Sequence, residues 1–395
     1  MIKKIIFSIL AFIHILKARI HDFQNRYYIK IVQFFSIRKA EKRAICNKYV
    51  LSSDEKKKID AFYKLNYGRT IDHKWHRYFA GINNTFTKEY IPMSIHFSEI
   101  EYFLNPYKEY IKVFEDKSII SLIAKSIGIK CPRALFTFTN GTFTDEQFNY
   151  IGFSEVVKQL SNYGEIFIKP TVDSSGGKGC CICNIQNGID TYSGESIESI
   201  LKKSGKYFLI QNVIRNHKSI SKIYDKSLNT FRIITYQWQE SIYNAPVVMR
   251  MGRNGNRVDN ACAGGIYIGV ENDGTLLRNA YFDDGSVYQI HPDTKLVFGD
   301  YHIISIQGAI DAAKRMHKAL SKLGIVNWDF SIDENGDPVL IEANIVGGGM
   351  DMIQVAHAKP LFEEHTPEIL QWVRLMKSLP VHKREPYYFG KRIVK

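Results

Sequence analysis

The sequence predicts an α+β fold preceded by a helical and basic N-terminal region. Apolar runs of strand length recur through the middle of the chain, at residues 165–170, 180–185, 207–213, 229–235 and 245–250. Residues 303–323 have apolar side chains at three- and four-residue intervals, which is typical of an amphipathic helix. Asn335-Gly336, between two alternating runs, predicts a β-hairpin. Strands and helices in these separate blocks indicate the α+β class.

Residues 1–80 are predicted to be helical and basic. In residues 1–20 apolar side chains recur at helical spacing, and residues 1–60 hold fourteen Lys/Arg against five Asp/Glu. The apolar run from Ile5 to Leu16 is too short to span a bilayer, and no convincing signal-peptide cleavage site follows it. Two interpretations stay open. Residues 1–60 either contact an anionic membrane surface or form a helix docked on the protein's own body.

The formal charge of +13 over 395 residues is concentrated at the two ends of the chain. Residues 377–395 hold six Lys/Arg and one Asp/Glu, so the middle of the chain is close to neutral. This distribution, without a DNA- or RNA-binding motif, predicts no nucleic-acid partner. Cys180-Cys181-Ile182-Cys183 does not have the paired spacing of a zinc site. These residues are predicted to be buried thiols in a reducing, cytoplasmic compartment.

The hairpin at 327–344 brings acidic side chains together. With Asn335-Gly336 as a two-residue loop, in which both positions need φ > 0, Asp329 lies opposite Glu342, and a four-residue loop from Glu334 to Asp337 gives the same pairing. Opposed side chains have Cβ atoms about 4.5–5.5 Å apart, and two carboxylates there repel each other unless a cation lies between them. Asn344 adds a neutral oxygen on the same face. These ligands suit Mg²⁺, and the alternative is a solvated polar face on an ordinary hairpin.

Two further patterns suggest an anion site. The glycine-rich loop at 173–179 lies between two predicted strands and lacks the ending and the following helix of a P-loop. Its backbone N–H groups are able to contact phosphates, although most glycine turns bind nothing. Arg232 and Arg250 interrupt apolar strands. A partly buried arginine pairs with an anionic ligand or forms a structural salt bridge.

Taken in order, these motifs resemble the ATP-grasp superfamily. The resemblance rests on Asp116-Lys117, a Gly-x-x-x-Pro turn from Gly128, Ile168-Lys169-Pro170 with the glycine-rich hairpin, the strand Leu209-Ile210-Gln211-Asn212-Val213, Asp329, and Glu342-x-Asn344. Four segments are similar, more narrowly, to the sugar-transfer-associated ATP-grasp family of polysaccharide biosynthesis: Leu228 to Ile233, Arg250-x-Gly252, Val258-Asp259-Asn260 and Gly264-Gly265-Ile266. The likeness covers roughly residues 90–378.

The resemblance implies an ATP-grasp fold, in which two α+β subdomains clasp ATP, with ATP and Mg²⁺ as cofactors. The residues implied to contact ATP are Lys117 and Lys169 at the phosphates, Ser174, Ser175, Gly176, Gly177 and Lys178 in a flap, Gln211 at the adenine amino group, and the backbone of Asn212, Val213 and Ile214 at the adenine edge. The remaining roles are Asp329, Glu342 and Asn344 at the metal, Arg232 and Arg250 in catalysis, and Asn260, Gly264, Gly265, Gly348 and Gly349 at the substrates. Relatives carry an acid for ribose after the adenine edge, but this chain has Arg215-Asn216-His217-Lys218 there.

The implied activity is an ATP-dependent carboxylate–amine ligase that forms an acyl phosphate. Its expected substrates are a sugar carboxylate and an amine, such as an amino acid, in capsular or exopolysaccharide biosynthesis. Two alternatives stay open, a kinase of a sugar or lipid hydroxyl and a membrane-associated scaffold without catalysis. The expected location is the cytoplasm, with peripheral contact at the inner face of the membrane. The expected organisation is an N-terminal region at 1–80, a connector at 81–115, subdomains at 116–205 and 206–379, and a basic tail at 380–395.

Overall fold

The computed structural model describes residues 2–43, 49–172, 177–260 and 263–391. The α-helices are α1 Ile2–Arg43, α2 Ser53–Asn66, α3 Lys74–Asn83, α4 Met93–Ile95, α5 Glu101–Leu104, α6 Lys108–Phe114, α7 Lys117–Ser126, α8 Phe153–Leu160, α9 Ile197–Lys203, α10 Lys218–Ser221, α11 Ile306–Ala319, α12 Asp351–His357 and α13 Thr366–Ser378. A π-helical turn, His96–Ile100, joins α4 to α5, and short 3₁₀ helices cover Glu363–His365, Val381–Lys383 and Glu385–Gly390.

The strands form two antiparallel sheets. They are β1 Ala134–Thr139, β2 Thr142–Thr144, β3 Tyr150–Ile151, β4 Gly164–Pro170, β5 Cys181–Gln186, β6 Ile189–Asp190, β7 Tyr207–Asn212, β8 Thr230–Trp238, β9 Ser241–Asn244, β10 Val247–Met251, β11 Ile266–Val270, β12 Leu276–Tyr281, β13 Val287–Tyr288, β14 Ile325–Ile332 and β15 Pro338–Asn344. The first sheet has the order β3-β2-β1-β7-β4-β5-β6, and the second has the order β13-β12-β11-β10-β8-β14-β15, with β9 paired to β8. Because β7 lies in the first sheet, that sheet extends past residue 205, where we predicted the first subdomain to end.

Each sheet is covered by helices that bury an apolar face. Helices α8 and α9 pack on the first sheet, where Leu160 meets Ile166 and Ile210 in one apolar cluster. Helices α7 and α11 cover one face of the second sheet. Its other face packs against α2, α3 and α13. The predicted amphipathic helix at 303–323 is therefore α11, with its apolar stripe in the core.

The helix α1 is docked on the body through its second half. Asp22 is buried and accepts a hydrogen bond of 2.8 Å from Arg384 Nη1, and Lys30 Nζ lies 2.7 Å from Glu99 Oε1. The partner Arg384 belongs to the predicted basic tail, so that part of the tail packs on the protein. The same helix leaves large apolar side chains exposed, among them Phe12, Phe23 and Phe35. No helix in the described ranges is long and apolar enough to cross a membrane.

The β14–β15 hairpin confirms the predicted pairing of Asp329 with Glu342, although the turn differs. The turn runs from Asp333, whose carbonyl accepts from Gly336 N–H at 2.8 Å, and Gly336 has φ +86° while Asn335 does not have positive φ. The expected two-residue loop with two positive φ angles is therefore wrong. The observed turn shifts the strand pairing by one residue from the predicted register. A bulge between residues 329 and 330 shifts it back by one, so that Asp329 still lies opposite Glu342.

Candidate active site

A cavity of about 380 Å³ opens between the two sheets. Side chains from β4, β5 and β7 line it on one side, and side chains from β8, β10, β14 and β15 line it on the other. Phe167, Ile182, Val213, Leu228 and Ile341 form its apolar part. This volume and this mixture of apolar and polar lining are typical of a small-molecule site.

Asp329 lies at the polar end of the cavity and is held by two arginines. Its Oδ1 accepts from Arg232 Nε at 2.7 Å, and its Oδ2 lies 3.1 Å from Arg250 Nη2. Burial alone would raise the pKa of Asp329, but the charges of Arg232 and Arg250 outweigh it and keep the pKa below the ordinary value. Asp329 is therefore ionised at neutral pH.

Arg250 extends this network to the loop that follows β10. Its Nη2 donates to Thr230 Oγ1 at 2.6 Å and its Nη1 to Asn260 Oδ1 at 3.2 Å, while its Nε lies 3.6 Å from Asp259 Oδ2. Burial, partly opposed by the Arg250 charge, raises the pKa of Asp259. The guanidinium of Arg250 lines the cavity and is fixed in one orientation.

Two lysines stand beside the second carboxylate of the hairpin. Lys117, the first residue of α7, has its Nζ 3.0 Å from Glu342 Oε1, and Lys169 on β4 donates to the carbonyl of Ile341 at 3.3 Å. All four residues line the cavity. Burial lowers the pKa of Lys169 to about 8, and the neighbouring Lys117 adds to that effect. Two lysines and two carboxylates thus meet Arg250 at one end of the cavity.

The comparison with family models decides the identity of this arrangement. The model of the sugar-transfer associated ATP-grasp family matches residues 97–368, which is more than half of the chain. The chain belongs to this ATP-grasp family. ATP and Mg²⁺ are accordingly its cofactors. The predicted α+β ATP-grasp fold is confirmed.

Solved structures give more distant likenesses. VanG D-Ala:D-Ser ligase from Enterococcus faecalis is 14% identical over 66% of this chain, with a TM-score of 0.39, and the chain spans 61% of VanG. D-alanine–D-alanine ligase from Bacillus anthracis is 14% identical, covering 67% of this chain and 68% of its own, with a TM-score of 0.37. L-amino acid ligase from Bacillus licheniformis is 13% identical, with a TM-score of 0.36. The match covers 66% of this chain and 48% of that ligase. A comparison with curated proteins gave no match. The assignment therefore rests on the family match.

The residues predicted at the adenine end of this ATP-grasp site lie together in the cavity lining. Gln211, the next-to-last residue of β7, is buried, and Asn212, Val213 and Ile214 follow it along the lining. The N–H of Asn212 donates to the Arg133 carbonyl at 3.1 Å, so it is engaged within the protein. In the described part of the chain, the backbone groups of Val213 and Ile214 form no hydrogen bond and are open to a ligand edge.

The predicted flap is only partly described. Ser174, Ser175 and Gly176 lie outside the described residues. Gly177 lines the cavity, and a Cβ there would lie 3.7 Å from Asn260 Nδ2, so the end of the flap faces the Arg250 loop. Lys178 is exposed and does not line the cavity.

The other predicted site residues divide into cavity lining and support. Asn260 lines the cavity, whereas Arg232, Asn344, Gly264, Gly265, Gly348 and Gly349 do not. Gly265 and Gly348 are sites of close approach, because a Cβ would lie 2.2 Å from the Asp259 carbonyl oxygen at Gly265 and 2.2 Å from Asn327 Cγ at Gly348. These glycines therefore support the loops around the site, and Arg232 acts on it through Asp329.

The donor set fits Mg²⁺, although protein side chains already supply cations to the two opposed acids. Protein cations already neutralise both carboxylates, since arginines hold Asp329 and Lys117 pairs with Glu342. Asn344 Nδ2 donates to Asp329 at 3.3 Å, and its amide oxygen has no donor within the described ranges. Those ranges contain no cluster of three or more His, Cys, Asp or Glu side chains suited to a metal. Two carboxylates and an amide oxygen, completed by phosphate and water oxygens, are what Mg²⁺ prefers.

Sequence reasoning missed Glu101, which supports the glycine loop after β15. Its carboxylate accepts from the N–H of Gly347 at 3.1 Å, although it lies in the predicted connector about 245 positions earlier in the chain. Burial raises the pKa of Glu101 to about 8, and the hydrogen bond from Gly347 opposes this only in part. A lone glutamate in a helical segment gives no sequence signal for this contact.

We expect Glu101→Gln to stabilise the protein increasingly as pH rises. Because the folded-state pKa of Glu101 lies above its ordinary value, the folded chain binds more protons than the unfolded chain between about pH 5 and 8. Its contribution to stability is therefore lost as pH rises through that window. Urea unfolding of wild type and variant at pH 5 and pH 8 measures the difference. A difference that does not grow with pH would contradict the assignment, and Glu109→Gln on exposed α6 surface is the matched control.

Proposed function

We propose that the protein is a carboxylate–amine ligase that forms an amide through an acyl phosphate. One observation carries the proposal: the lining of a single cavity combines Lys117, Lys169 and Arg250 with the carboxylates of Asp329 and Glu342. Phosphoryl transfer to a carboxylate requires positioning and neutralisation of charge more than a protein nucleophile. This set of side chains supplies both at one end of an otherwise apolar pocket.

Different residues of the pocket would bind different parts of the nucleotide. Val213 and Ile214 would bind the adenine edge with their open backbone groups, and Lys117 and Lys169 would hold the phosphates at the polar end. Arg250 would stabilise the transferring phosphoryl group. Asp329, Glu342 and Asn344 would hold Mg²⁺, which neutralises phosphate charge when bound.

The second half of the reaction needs an amine beside the acyl phosphate. Attack of the amine forms the C–N bond, breaks the bond between the acyl carbon and the phosphate oxygen, and releases phosphate. Asn260 lines the cavity, and we propose that it holds the acceptor together with the glycine loops at 264–265 and 347–349. Exclusion of water from the site would protect this intermediate from hydrolysis.

For the substrates we propose a sugar carboxylate and an amine, such as an amino acid, in the assembly of a capsular or extracellular polysaccharide. The description of the family as sugar-transfer associated supports this choice.

Contact of α1 with the inner face of the membrane is part of the same proposal. Exposed Phe12, Leu16 and Phe23, on a helix within a basic region, support it. Flotation with anionic vesicles, compared between wild type and Phe12→Ser/Phe23→Ser, tests the contact, and equal flotation of both would overturn it.

A phosphate-release screen tests the reaction. The protein receives Mg·ATP with panels of sugar carboxylates, free or linked to nucleotide or lipid, and of amino acids. We expect ADP and free phosphate only when both substrates are present, with an amide product of matching mass. A stable phosphorylated sugar or lipid would instead establish the kinase alternative. ATP binding without turnover on any panel would favour the scaffold.

ATP binding is expected to take up a proton through Lys169. At pH 8 about half of the Lys169 side chains are neutral, because burial lowers this pKa to about 8. The phosphates of ATP favour the charged form, so binding should take up about half a proton at that pH. Calorimetry in buffers of different ionisation enthalpy measures the uptake. Lys169→Arg is always charged, and an unchanged uptake in this variant would contradict the role of Lys169.

A further inference from the structure

A second cavity, of about 310 Å³, lies away from the nucleotide site. It is enclosed by α1, by the connection between α2 and α3, and by the start of the helical segment from residue 92. Lys30, Arg69 and Lys74 line it together with Phe34 and Trp75. Nothing in the proposed ligase reaction uses these residues.

The carboxylates around this cavity leave positive charge in excess. Glu99 is fully buried, and it already binds Lys30 at 2.7 Å, Lys377 at 3.0 Å and the hydroxyl of Tyr67 at 2.6 Å. Burial lowers the pKa of Lys377, and the nearby charges of Arg69 and Lys30 lower it further. The one buried acid is therefore shared by several cations that repel one another.

Arg69 and Lys74 have weaker partners than Lys30 has. Arg69 Nη2 donates to the Tyr67 hydroxyl at 3.4 Å, and no carboxylate of the described chain forms an ion pair with it. Lys74 Nζ lies 3.4 Å from Asp72, whose side chain is 62% exposed. An exposed pair of this kind contributes little energy and leaves Lys74 available to a ligand.

We propose that this second cavity binds a terminal phosphate group, that is a phosphate monoester, carried by a sugar or a lipid. Arginine and lysine together provide the forked and the point-charge contacts that phosphate oxygens accept. The walls formed by Phe34, Ile37 and Trp75 would contact the apolar face of a sugar ring or the first carbons of a lipid. Gln33 also lines the cavity, and its Oε1 is buried without a hydrogen-bond partner in the described residues. Rotation of the side-chain amide would let this oxygen accept a hydrogen bond from a ligand hydroxyl.

The position of the cavity on α1 connects it with a membrane surface. Phe34 is 42% exposed at the rim, and Phe35 beside it is 61% exposed, so apolar surface continues from the cavity along the helix. A phosphate attached to a lipid would thus be reached while these side chains contact the bilayer. The site does not depend on the reaction proposed for the nucleotide cavity.

The test uses the full chain saturated with Mg·ADP, so that the nucleotide site does not take the probe. Binding of glucose 1-phosphate is measured by calorimetry, and binding to phosphatidylcholine vesicles that contain phosphatidic acid or phosphatidylserine is measured by flotation. We expect glucose 1-phosphate or the phosphatidic acid vesicles to bind. Affinity should fall at least tenfold in Arg69→Gln/Lys74→Gln. Binding of the sugar phosphate identifies a soluble source, and binding of the vesicles alone identifies a lipid source.

The matched control is Lys57→Gln/Lys64→Gln, which removes two exposed cations from α2 without touching the cavity. It should bind like wild type. Wild-type protein that binds none of the probes would overturn the proposal, and this arm does not depend on how the variants fold. Equal weakening by both double variants, or equal binding of phosphatidic acid and phosphatidylserine vesicles, would show non-specific attraction and overturn it as well.

Discussion

Asp329→Asn is expected to abolish ATP-dependent turnover and to destabilise the fold by about 3–5 kcal/mol, the cost of breaking a buried ion pair on one side. The carboxylate is 4% exposed, and Arg232 has no other carboxylate within ion-pair distance in the described chain. The amide keeps the shape of the side chain but leaves two buried guanidinium groups facing a neutral partner. Urea unfolding measures the stability, and phosphate release with the substrates found in the screen measures turnover.

The pH dependence separates this explanation from a simple packing defect. Since the arginines hold the pKa of Asp329 below its ordinary value, its contribution to stability is present above the ordinary aspartate range and is lost as pH falls through the lower, folded-state pKa. The difference in stability between wild type and Asp329→Asn should therefore shrink only in strong acid. A variant as stable as wild type at pH 7 would show that the arginines do not depend on this carboxylate.

The sequence could predict the acidic pair because alternation and one short turn determine which residues face each other. Asp329 and Glu342 are 13 residues apart, and a hairpin is a local structure. The predicted turn was wrong, because the observed turn goes together with a bulge in the hairpin. Such a bulge is set by packing on both sides of a strand rather than by the turn residues. Simple alternation would place Leu340 on the same face as Glu342, but the bulge turns it into the apolar core.

Contacts between distant segments could not be predicted in this way. Arg232 and Arg250 were expected to meet an anionic ligand or to form a structural salt bridge, but nothing in the sequence identified Asp329 as their shared partner. The contact of Glu101 with Gly347 and the buried pair of Asp22 with Arg384 join parts of the chain that no local pattern relates. The motif order indicated the family, whereas the second cavity on α1 depends on how three helical segments pack.

Glu342→Gln is expected to reduce turnover by a factor on the order of 10³, the scale for losing one preorganised charge contact. The free energy of unfolding should change by about 1 kcal/mol or less. Glu342 is 28% exposed and has Lys117 as its ion-pair partner at 3.0 Å, so no buried arginine loses its counter-charge. Two substitutions in one opposed pair should thus have similar effects on catalysis and very different effects on folding. The physical reason is that one carboxylate is enclosed by arginines and the other faces the cavity.

Two readouts besides activity test the role of Glu342. If it holds Mg²⁺, the gain in ATP affinity on adding Mg²⁺ should be much smaller in Glu342→Gln than in wild type by calorimetry. Its charge also raises the pKa of Lys169 against the effect of burial, so the variant should take up more protons on binding ATP near pH 7 than wild type does. Glu198→Gln, an exposed acid paired with Lys202 at 2.6 Å on α9, should change neither quantity. An unchanged Mg²⁺ dependence together with lost turnover would move Glu342 from the metal site to the positioning of Lys117.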